Sequence, residues 1–261
     1  EVGTIVFTDQ SITVDTTLAA DNVIWGTAES ETLTGTSGND LIDSAGGDDN
    51  HPDDTIDGGD GEDTLAIFSD KANFEIITVA GITKTYGSTE VSGLGAQYNN
   101  HMTSMINVET IAFADQSITL DATLPAANII WGTTSNETIT DTSSNDLIVS
   151  EGGHDLITQA SGDGGNDDDT LAIFSDKSNF QIVTIAGITK IYGDTIGDDS
   201  VFSIAYNGYI VRMTKSETIA FADQNVALDT DLMILDVDGD PARSYNLDNI
   251  IWGKFWWQGS E

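Results

Sequence analysis

The sequence is most notable for what it has little of. Its 261 residues include no cysteine and only 8 lysines and arginines, and it contains no long apolar run. Without cysteine, disulfides and thiolate metal sites are excluded. So few basic residues leave no positively charged surface for nucleic acid. A membrane-spanning helix needs roughly 20 consecutive apolar residues. We therefore predict neither a nucleic-acid partner nor a membrane span.

Negative charge, by contrast, is abundant. The sequence has 44 acidic residues and a formal net charge of −36. Repulsion on this scale opposes a compact state, so the chain is either disordered or folds when cations neutralise it. Disordered chains are poor in aromatic and β-branched residues, whereas this sequence contains 5 Trp and 9 Phe. We therefore expect a protein that folds with bound cations.

The sequence is an internal repeat. The segment Ile5–Gln10 recurs at Ile111–Gln116 and again at Ile219–Gln224. Between the first two copies the offset is 106 residues, and it continues without a gap as far as Gly87. We predict a first unit at 1–106, a second at 107–214, and an incomplete third at 215–261 that ends in an aromatic tail.

The local patterns predict strands throughout. Runs in which apolar and polar residues alternate, such as Gln10–Asp15 and Phe74–Tyr86, suit half-buried strands. Ala80-Gly81 is expected to be a hairpin turn between two of them. No segment has a sustained helical period with caps, so we predict an all-β protein.

One stretch carries a specific motif. Gly58–Ala66 matches the nine-residue pattern G-G-x-G-x-D-x-U-x, in which U is a large apolar residue. Upstream stretches beginning at Gly35 and Gly26, which are nine residues apart, resemble it, each with an acid at the sixth position and Leu or Ile at the eighth. Glycine permits the tightly curved backbone that exposes carbonyl oxygens, and the sixth residue adds a carboxylate.

By these motifs the chain resembles the RTX (hemolysin-type calcium-binding) repeat family. The resemblance implies parallel β-roll or solenoid sections at 26–66 and 132–172, alternating with antiparallel, sandwich-like strands. It also implies several Ca²⁺ ions held between stacked loops. Calcium suits such loops because its ligands in proteins are oxygen atoms. The main candidates for metal ligands are Asp40, Asp63, Asp146 and Asp169, with the loop glycines Gly35, Gly38, Gly58, Gly59, Gly61, Gly164 and Gly165. Glu31, Glu137, Asp49 and Asp155 are weaker candidates.

A separate acidic stretch lies in the third unit. Asp236, Asp238 and Asp240 are alternate carboxylates, similar to the opening of an EF-hand-like calcium loop. The glycine falls two places early, and position twelve of such a loop is Leu247. A calcium site and an acidic surface turn are both consistent with this pattern.

No catalytic motif is present. His51, His101 and His154 form no H-E-x-x-H motif, and there is no G-x-S-x-G elbow. All three histidines are expected to be solvated loop residues, and the protein is expected not to be an enzyme. Trp25, Trp131 and Trp252 occupy equivalent places before an acidic section. They are expected to fill the core, and the alternative is that they stack on sugars.

These features favour an extracellular structural or adhesive protein, such as part of an adhesin, a surface lattice or a filament. We expect copies to associate head to tail, with Phe255, Trp256 and Trp257 docking on the strand that contains Ile5 and Phe7. One alternative is a tail that folds back on its own molecule. Another is a calcium-dependent carbohydrate-binding module of a larger secreted protein, with an extracellular or cell-surface polysaccharide as its partner.

Overall fold

The fold was analysed in a computed structural model. It describes residues 4–6, 8, 11–13, 20–46, 53–88, 92–158, 167–185, 188–193, 202, 206–214 and 218–228. The chain divides into two compact units, Glu1–Pro125 and Ala126–Glu261. Within the described ranges, no helix is long and apolar enough to cross a membrane.

The first unit consists of short strands. Two 3-10 helices, Lys71–Asn73 and Gly93–Tyr98, connect some of them. The strands are β1 (Thr4–Val6), β2 (Ser11–Thr13), β3 (Asn22–Trp25), β4 (Thr32–Thr34), β5 (Asp40–Asp43), β6 (Asp54–Asp57), β7 (Thr64–Ile67), β8 (Phe74–Val79), β9 (Ile82–Gly87), β10 (Met102–Ile106), β11 (Thr110–Phe113) and β12 (Ser117–Thr119).

Strands β3 to β7 form a parallel β-roll. The chain passes alternately between two sheets, so that β3, β5 and β7 pair in parallel in one and β4 pairs in parallel with β6 in the other. After the β8–β9 hairpin the chain returns to the roll, where β10 pairs in parallel with β6 and β11 with β7. The strand orders are β12-β11-β7-β5-β3 and β4-β6-β10-β9-β8.

The core lies between these two sheets. In a strand, successive side chains point to opposite faces, so the apolar residue two places after each acid points inward. Ile42, Ile56, Leu65 and Ile111 are fully buried in one apolar cluster that draws on both sheets. The acid at or just before the start of each strand is thereby fixed at the rim of the core.

Antiparallel strands extend the same sheets. β8 and β9 pair as a hairpin that turns at Ala80-Gly81, and both turn residues have positive φ, 50° and 79°. The recurring motif at Ile5, Ile111 and Ile219 forms antiparallel hairpins: β1–β2, β11–β12 and, in the second unit, β21–β22.

The second unit has the same construction. It includes the 3-10 helix Lys177–Asn179. Its sheet orders are β13-β15-β17-β21-β22 and β14-β16-β20-β19-β18. The strands are β13 (Asn128–Trp131), β14 (Thr138–Thr140), β15 (Asp146–Val149), β16 (His154–Thr158), β17 (Thr170–Ile173), β18 (Phe180–Ile185), β19 (Ile188–Gly193), β20 (Ile210–Thr214), β21 (Thr218–Phe221) and β22 (Asn225–Ala227).

The predicted all-β fold with parallel roll sections and antiparallel strands is confirmed, although the two kinds of strand share sheets. The compact units are offset from the predicted sequence repeats. The first unit extends to Pro125 because β11 and β12 complete a sheet begun by β3. The second sequence repeat, which begins at residue 107, therefore starts inside the first compact unit.

The expected gap-free offset of 106 residues is wrong in one place. The offset equates Asp49 with Asp155, but in the structure Asp54 is the counterpart of Asp155. Leu33 pairs with Ile56 and Ile139 pairs with Ile157, and both isoleucines are fully buried. The reason is that each inward-facing Ile follows its acid by two places, so the packing of the core sets the register.

Candidate metal centre

Acids in successive turns of the roll form two hydrogen-bonded ladders in the first unit. On one edge of the roll, the main-chain N–H of Asp40 donates to Asp63 Oδ1 at 2.7 Å. The N–H of Asp63 in turn donates to Glu109 Oε2 at 2.7 Å. On the other edge, the N–H of Glu31 donates to Asp54 Oδ1 at 3.1 Å. Each turn thus holds the carboxylate of its neighbour.

The second unit repeats both ladders. The N–H of Asp146 donates to Asp169 Oδ1 at 2.9 Å, and the N–H of Glu137 donates to Asp155 Oδ1 at 3.1 Å. Asp146, Asp155 and Asp169 are buried, like their counterparts in the first unit. These carboxylates are therefore built into the roll and are not solvated surface groups.

The glycine that opens each turn makes room for oxygen atoms. A Cβ added to Gly35 would lie 2.9 Å from Asp40 Oδ2 and would overlap the Gly58 carbonyl oxygen of the next turn. A Cβ added to Gly58 would lie 2.7 Å from Asp63 Oδ2 and would overlap the Asn107 carbonyl oxygen. Gly26 and Gly132 are enclosed in the same way. Carboxylate and carbonyl oxygens, the ligands that calcium prefers, therefore converge at these glycines.

The electrostatics differ from turn to turn. Burial opposes ionisation of Asp40, but hydrogen bonds from the Thr36 N–H, the Asn22 amide and the Thr36 hydroxyl hold its pKa below the usual value. Burial raises the pKa of Asp63, and the negative charges of Asp40, Glu109 and Asp57 add to this despite the hydrogen bond from the Asp40 N–H. A cation beside Asp63 would relieve this repulsion.

The second unit holds a carboxyl group that is harder still to ionise. Burial raises the pKa of Asp169 to about 8, and the negative charges of Asp141 and Asp167 contribute despite the hydrogen bond from the Asp146 N–H. Burial also raises the pKa of Asp155. Carboxyl groups with raised pKa values need either a proton or a cation to be accommodated.

One oxygen indicates that the Asp63 turn fits calcium. Within the part of the chain that the structure describes, Asp63 Oδ2 is buried and has no hydrogen-bond partner. No three Asp, Glu or His side chains converge on a point in the described segments, so carbonyl oxygens would have to supply many of the ligands. The oxygens of Asp63 and Asn107 that lie beside Gly58 are ligands that suit a hard cation such as Ca²⁺.

Some of the predicted site residues lie in the part of the chain that the structure describes, and the others lie outside it. In the first unit the roll brings together Gly35, Asp40, Gly58 and Asp63. A Cβ added to Gly61, which has a positive φ of 133°, would lie 2.8 Å from the Gly38 carbonyl oxygen. Ile5 lies in β1. Outside the described residues lie Phe7, Asp49, His51, Gly164, Gly165, Asp236, Asp238, Asp240, Trp252, Phe255, Trp256 and Trp257.

Sequence reasoning missed two members of the ladders. Asp54 and Glu109 each accept a hydrogen bond from the main-chain N–H of the preceding acid on the same edge. A signal for both was present, because each stands two places before a buried isoleucine, Ile56 or Ile111. A search for an acid followed by an inward-facing apolar residue, without a fixed interval of nine, finds them.

Two expectations about other side chains are wrong. His101 was expected to be solvated, but it is buried, with its Nε2 at 3.0 Å from Asp54 Oδ2. Trp25 and Trp131 were expected to fill the core, but they are 71% and 39% exposed. Each ends a strand at the edge of its sheet, and in β3 it is the preceding Ile24 that packs against the core.

The chain was compared with protein-family models, curated proteins and solved structures. A family model of the RTX calcium-binding nonapeptide repeat matches in four copies, over residues 19–50, 53–66 and 131–171. Among solved structures, the extracellular lipase LipA from Serratia marcescens is 14% identical, with 74% of this chain and 38% of that chain covered and a TM-score of 0.22. This chain thus spans well under half the length of that lipase. No curated protein matches.

Proposed function

Because the chain carries RTX calcium-binding nonapeptide repeats, we propose that it is a non-catalytic extracellular module that folds when it binds calcium. Its role is structural or adhesive. The observation that carries this proposal is the ladder of buried acids, in which Asp40 and Asp63 stack in successive turns of one edge.

The physical argument is one of charge. Stacked, buried carboxylates repel one another in a chain whose formal net charge is already −36. Ca²⁺ supplies two positive charges and accepts six to eight oxygen ligands with flexible geometry. Since these turns are not assembled in the unfolded chain, the free energy of binding becomes free energy of folding. Folding then follows the calcium concentration.

The extracellular location follows from the affinity expected of such turns. Extracellular calcium modules bind with dissociation constants of about 10⁻⁴ to 10⁻³ M. Sites of this strength fill outside the cell, where calcium is abundant. RTX repeats are also typical of secreted proteins.

Circular dichroism tests calcium-dependent folding directly. In excess EDTA the full chain should lose its β spectrum, and millimolar calcium should restore it. Magnesium at the same concentration serves as a matched control, because its demand for tight octahedral geometry should leave it ineffective. An unchanged β spectrum in EDTA would refute the proposal.

Head-to-tail association of copies is part of the proposed structural role. Its support is that β3 and β4 end their sheets among the described strands, and a sheet edge can pair with another chain. A contact between two different surfaces of one protein propagates into a filament or lattice unless it closes into a ring. Phe255, Trp256 and Trp257 are the proposed docking residues, and the strand of Ile5 and Phe7 is their proposed partner.

Light scattering in calcium tests the association. The full chain should form larger species as its concentration rises, while a chain truncated after Gly253 should stay monomeric. If both stay monomeric at high concentration, the chain does not assemble through this tail.

One observation favours a second candidate function. Trp25 and Trp131 occupy equivalent places in the two units and expose their rings, and exposed aromatic rings are suited to stacking on sugars. A calcium-dependent carbohydrate-binding module is therefore the alternative. On a glycan array, Trp25→Ala or Trp131→Ala should abolish specific binding if this function is correct. Phe68→Ala, at another exposed aromatic residue, is the control.

A further inference from the structure

The turns of the roll differ at their second position. In four of them this residue is a threonine whose main-chain N–H donates to the sixth-position acid of the same turn. Two of these bonds are Thr36 N–Asp40 Oδ2 at 2.6 Å and Thr142 N–Asp146 Oδ2 at 2.5 Å. The other two join Thr27 to Glu31 and Thr133 to Glu137.

Further donors complete the hydrogen bonding of the two aspartates. The hydroxyl of Thr36 lies 3.0 Å from Asp40 Oδ2, and the side-chain amide of Asn22 donates to Asp40 Oδ1 at 2.8 Å. Thr142 and Asn128 do the same for Asp146. Both oxygens of each aspartate therefore accept hydrogen bonds from the protein itself.

On the opposite edge of the roll, Asp54 and Asp155 are bonded to other side chains. Asp54 Oδ2 lies 3.0 Å from His101 Nε2. Asp155 Oδ2 accepts a hydrogen bond from the Ser150 hydroxyl at 2.5 Å. The second oxygen of each of these acids is thus also occupied by a protein donor.

The Gly58–Asp63 turn is built differently. Its second residue is Gly59, whose φ of 91° is accessible to glycine and costly for other residues. This conformation directs the Gly59 N–H to Asp57 Oδ1, at 3.1 Å, and not to Asp63. Asp63 Oδ2 is left fully buried and, among the described residues, without a partner. It faces the space at Gly58, where the Asn107 carbonyl oxygen also lies.

We infer that the second residue of a turn determines whether its acid is available to a cation. Glycine leaves the acid of the Asp63 turn open to calcium, whereas threonine closes the turns of Glu31, Asp40, Glu137 and Asp146 with internal hydrogen bonds. A cation would have to displace those bonds, while at Asp63 it gains an unsatisfied carboxylate oxygen. The chain therefore binds fewer calcium ions than it has nonapeptides. This inference rests on the proposed function, since it requires that calcium binds.

The stoichiometry of calcium binding to the full chain tests the inference. By equilibrium dialysis at saturating calcium, Asp63→Asn should bind one ion fewer than the native chain. Asp40→Asn and Asp146→Asn, which make the same chemical change in threonine turns, should bind as many ions as the native chain. An equal loss in Asp40→Asn and Asp63→Asn, or no loss in Asp63→Asn, would overturn the inference.

A calcium-loaded crystal structure of the native chain gives the answer without any variant, should Asp63→Asn fail to fold. It should show an ion about 2.3–2.6 Å from Asp63 Oδ2. An ion bonded to Glu31, Asp40, Glu137 or Asp146 would contradict the inference while leaving calcium-dependent folding intact. A native chain that binds no calcium would overturn both.

Discussion

The main-chain N–H of Asp40 and the carboxylate of Asp63 are joined by a 2.7 Å hydrogen bond across 23 positions of sequence. The second unit repeats this bond between Asp146 and Asp169 at the same separation. Each acid is therefore held in place by the turn stacked on it. Because the bond uses the main-chain N–H of one acid and the side chain of the next, each carboxylate can be altered without removing the donor that it offers to its neighbour.

The first prediction concerns pH in the absence of calcium. Asp169 has a folded-state pKa of about 8, above its ordinary value of 3.8. A raised folded-state pKa means that the folded state binds the proton more tightly than the unfolded state does. The stabilisation that protonation of Asp169 contributes is therefore fully present below about pH 4 and is lost as the pH rises toward 8. Asp63 and Asp155 shift in the same direction.

Unfolding experiments in EGTA between pH 4.5 and 8.5 measure this effect. The calcium-free chain should retain more β structure at the acidic end, and Asp169→Asn should flatten the dependence. Saturating calcium should remove or reverse the trend, because the metal replaces the proton. Stability that rises with pH in EGTA would contradict the assignment.

The second prediction concerns the space at Gly58. In Gly58→Ala the new Cβ would overlap the Asn107 carbonyl oxygen and crowd Asp63 Oδ2. Because the overlap is with main chain, the two turns must separate, and we expect a loss of several kcal/mol in unfolding free energy, as for other severe strain. Denaturant unfolding in calcium measures it.

Gly208→Ala is the control for this substitution. Unlike Gly58, Gly208 has a positive φ, 67°, but an added Cβ there would meet no atom within 4 Å. Only the conformational penalty remains, about 1 kcal/mol. Equal losses in the two variants would show that the close approach at Gly58 does not matter.

The third prediction concerns the hairpin turn of the first unit. Ala80 has a φ of 50°, a conformation that asparagine tolerates better than alanine, and Asn-Gly is the favoured pair for two-residue hairpins. Ala80→Asn should therefore stabilise the calcium-loaded protein, by up to about 1 kcal/mol. A thermal melt in saturating calcium should show a higher Tm, and an unchanged or lower Tm would contradict the prediction.

Much of the roll follows from the sequence because one local rule generates it. An acid followed two places later by an aliphatic residue fixes both the rim and the core of each turn, as at Asp40 with Ile42 and Asp63 with Leu65. The Ala80-Gly81 hairpin was predictable for the same reason, since its signal lies within adjacent residues. Such patterns can be read without knowledge of what packs against them.

The return of β10 and β11 to the roll could not be predicted in this way. Their partners, β6 and β7, lie on the far side of a hairpin, and the pairing depends on long-range packing. The interval of nine also fails between β5 and β6, where Asp54 takes the place expected for Asp49. The availability of each acid to a cation depends on the directions of the hydrogen bonds around it. A list of acidic residues does not contain this information.

The last prediction concerns His101, which is buried with its Nε2 at 3.0 Å from Asp54 Oδ2. Asp54 is itself fully buried and accepts the N–H of Glu31 through its other oxygen. His101→Ala removes the partner of Oδ2 and leaves part of a buried carboxylate unsatisfied. Loss of a hydrogen bond to such a group costs about 1.5–3 kcal/mol, with the cavity adding to it.

Denaturant unfolding in saturating calcium should therefore show a clear loss of stability in His101→Ala. His154→Ala is the control, because the His154 side chain is exposed and changes at exposed positions stay within about 0.5 kcal/mol. His101→Asn, which keeps a side-chain donor, should recover part of the loss. If His101→Ala and His154→Ala have equal stability, the contact with Asp54 does not stabilise the roll. If His101→Asn is no better than His101→Ala, the loss comes from the cavity and not from the hydrogen bond.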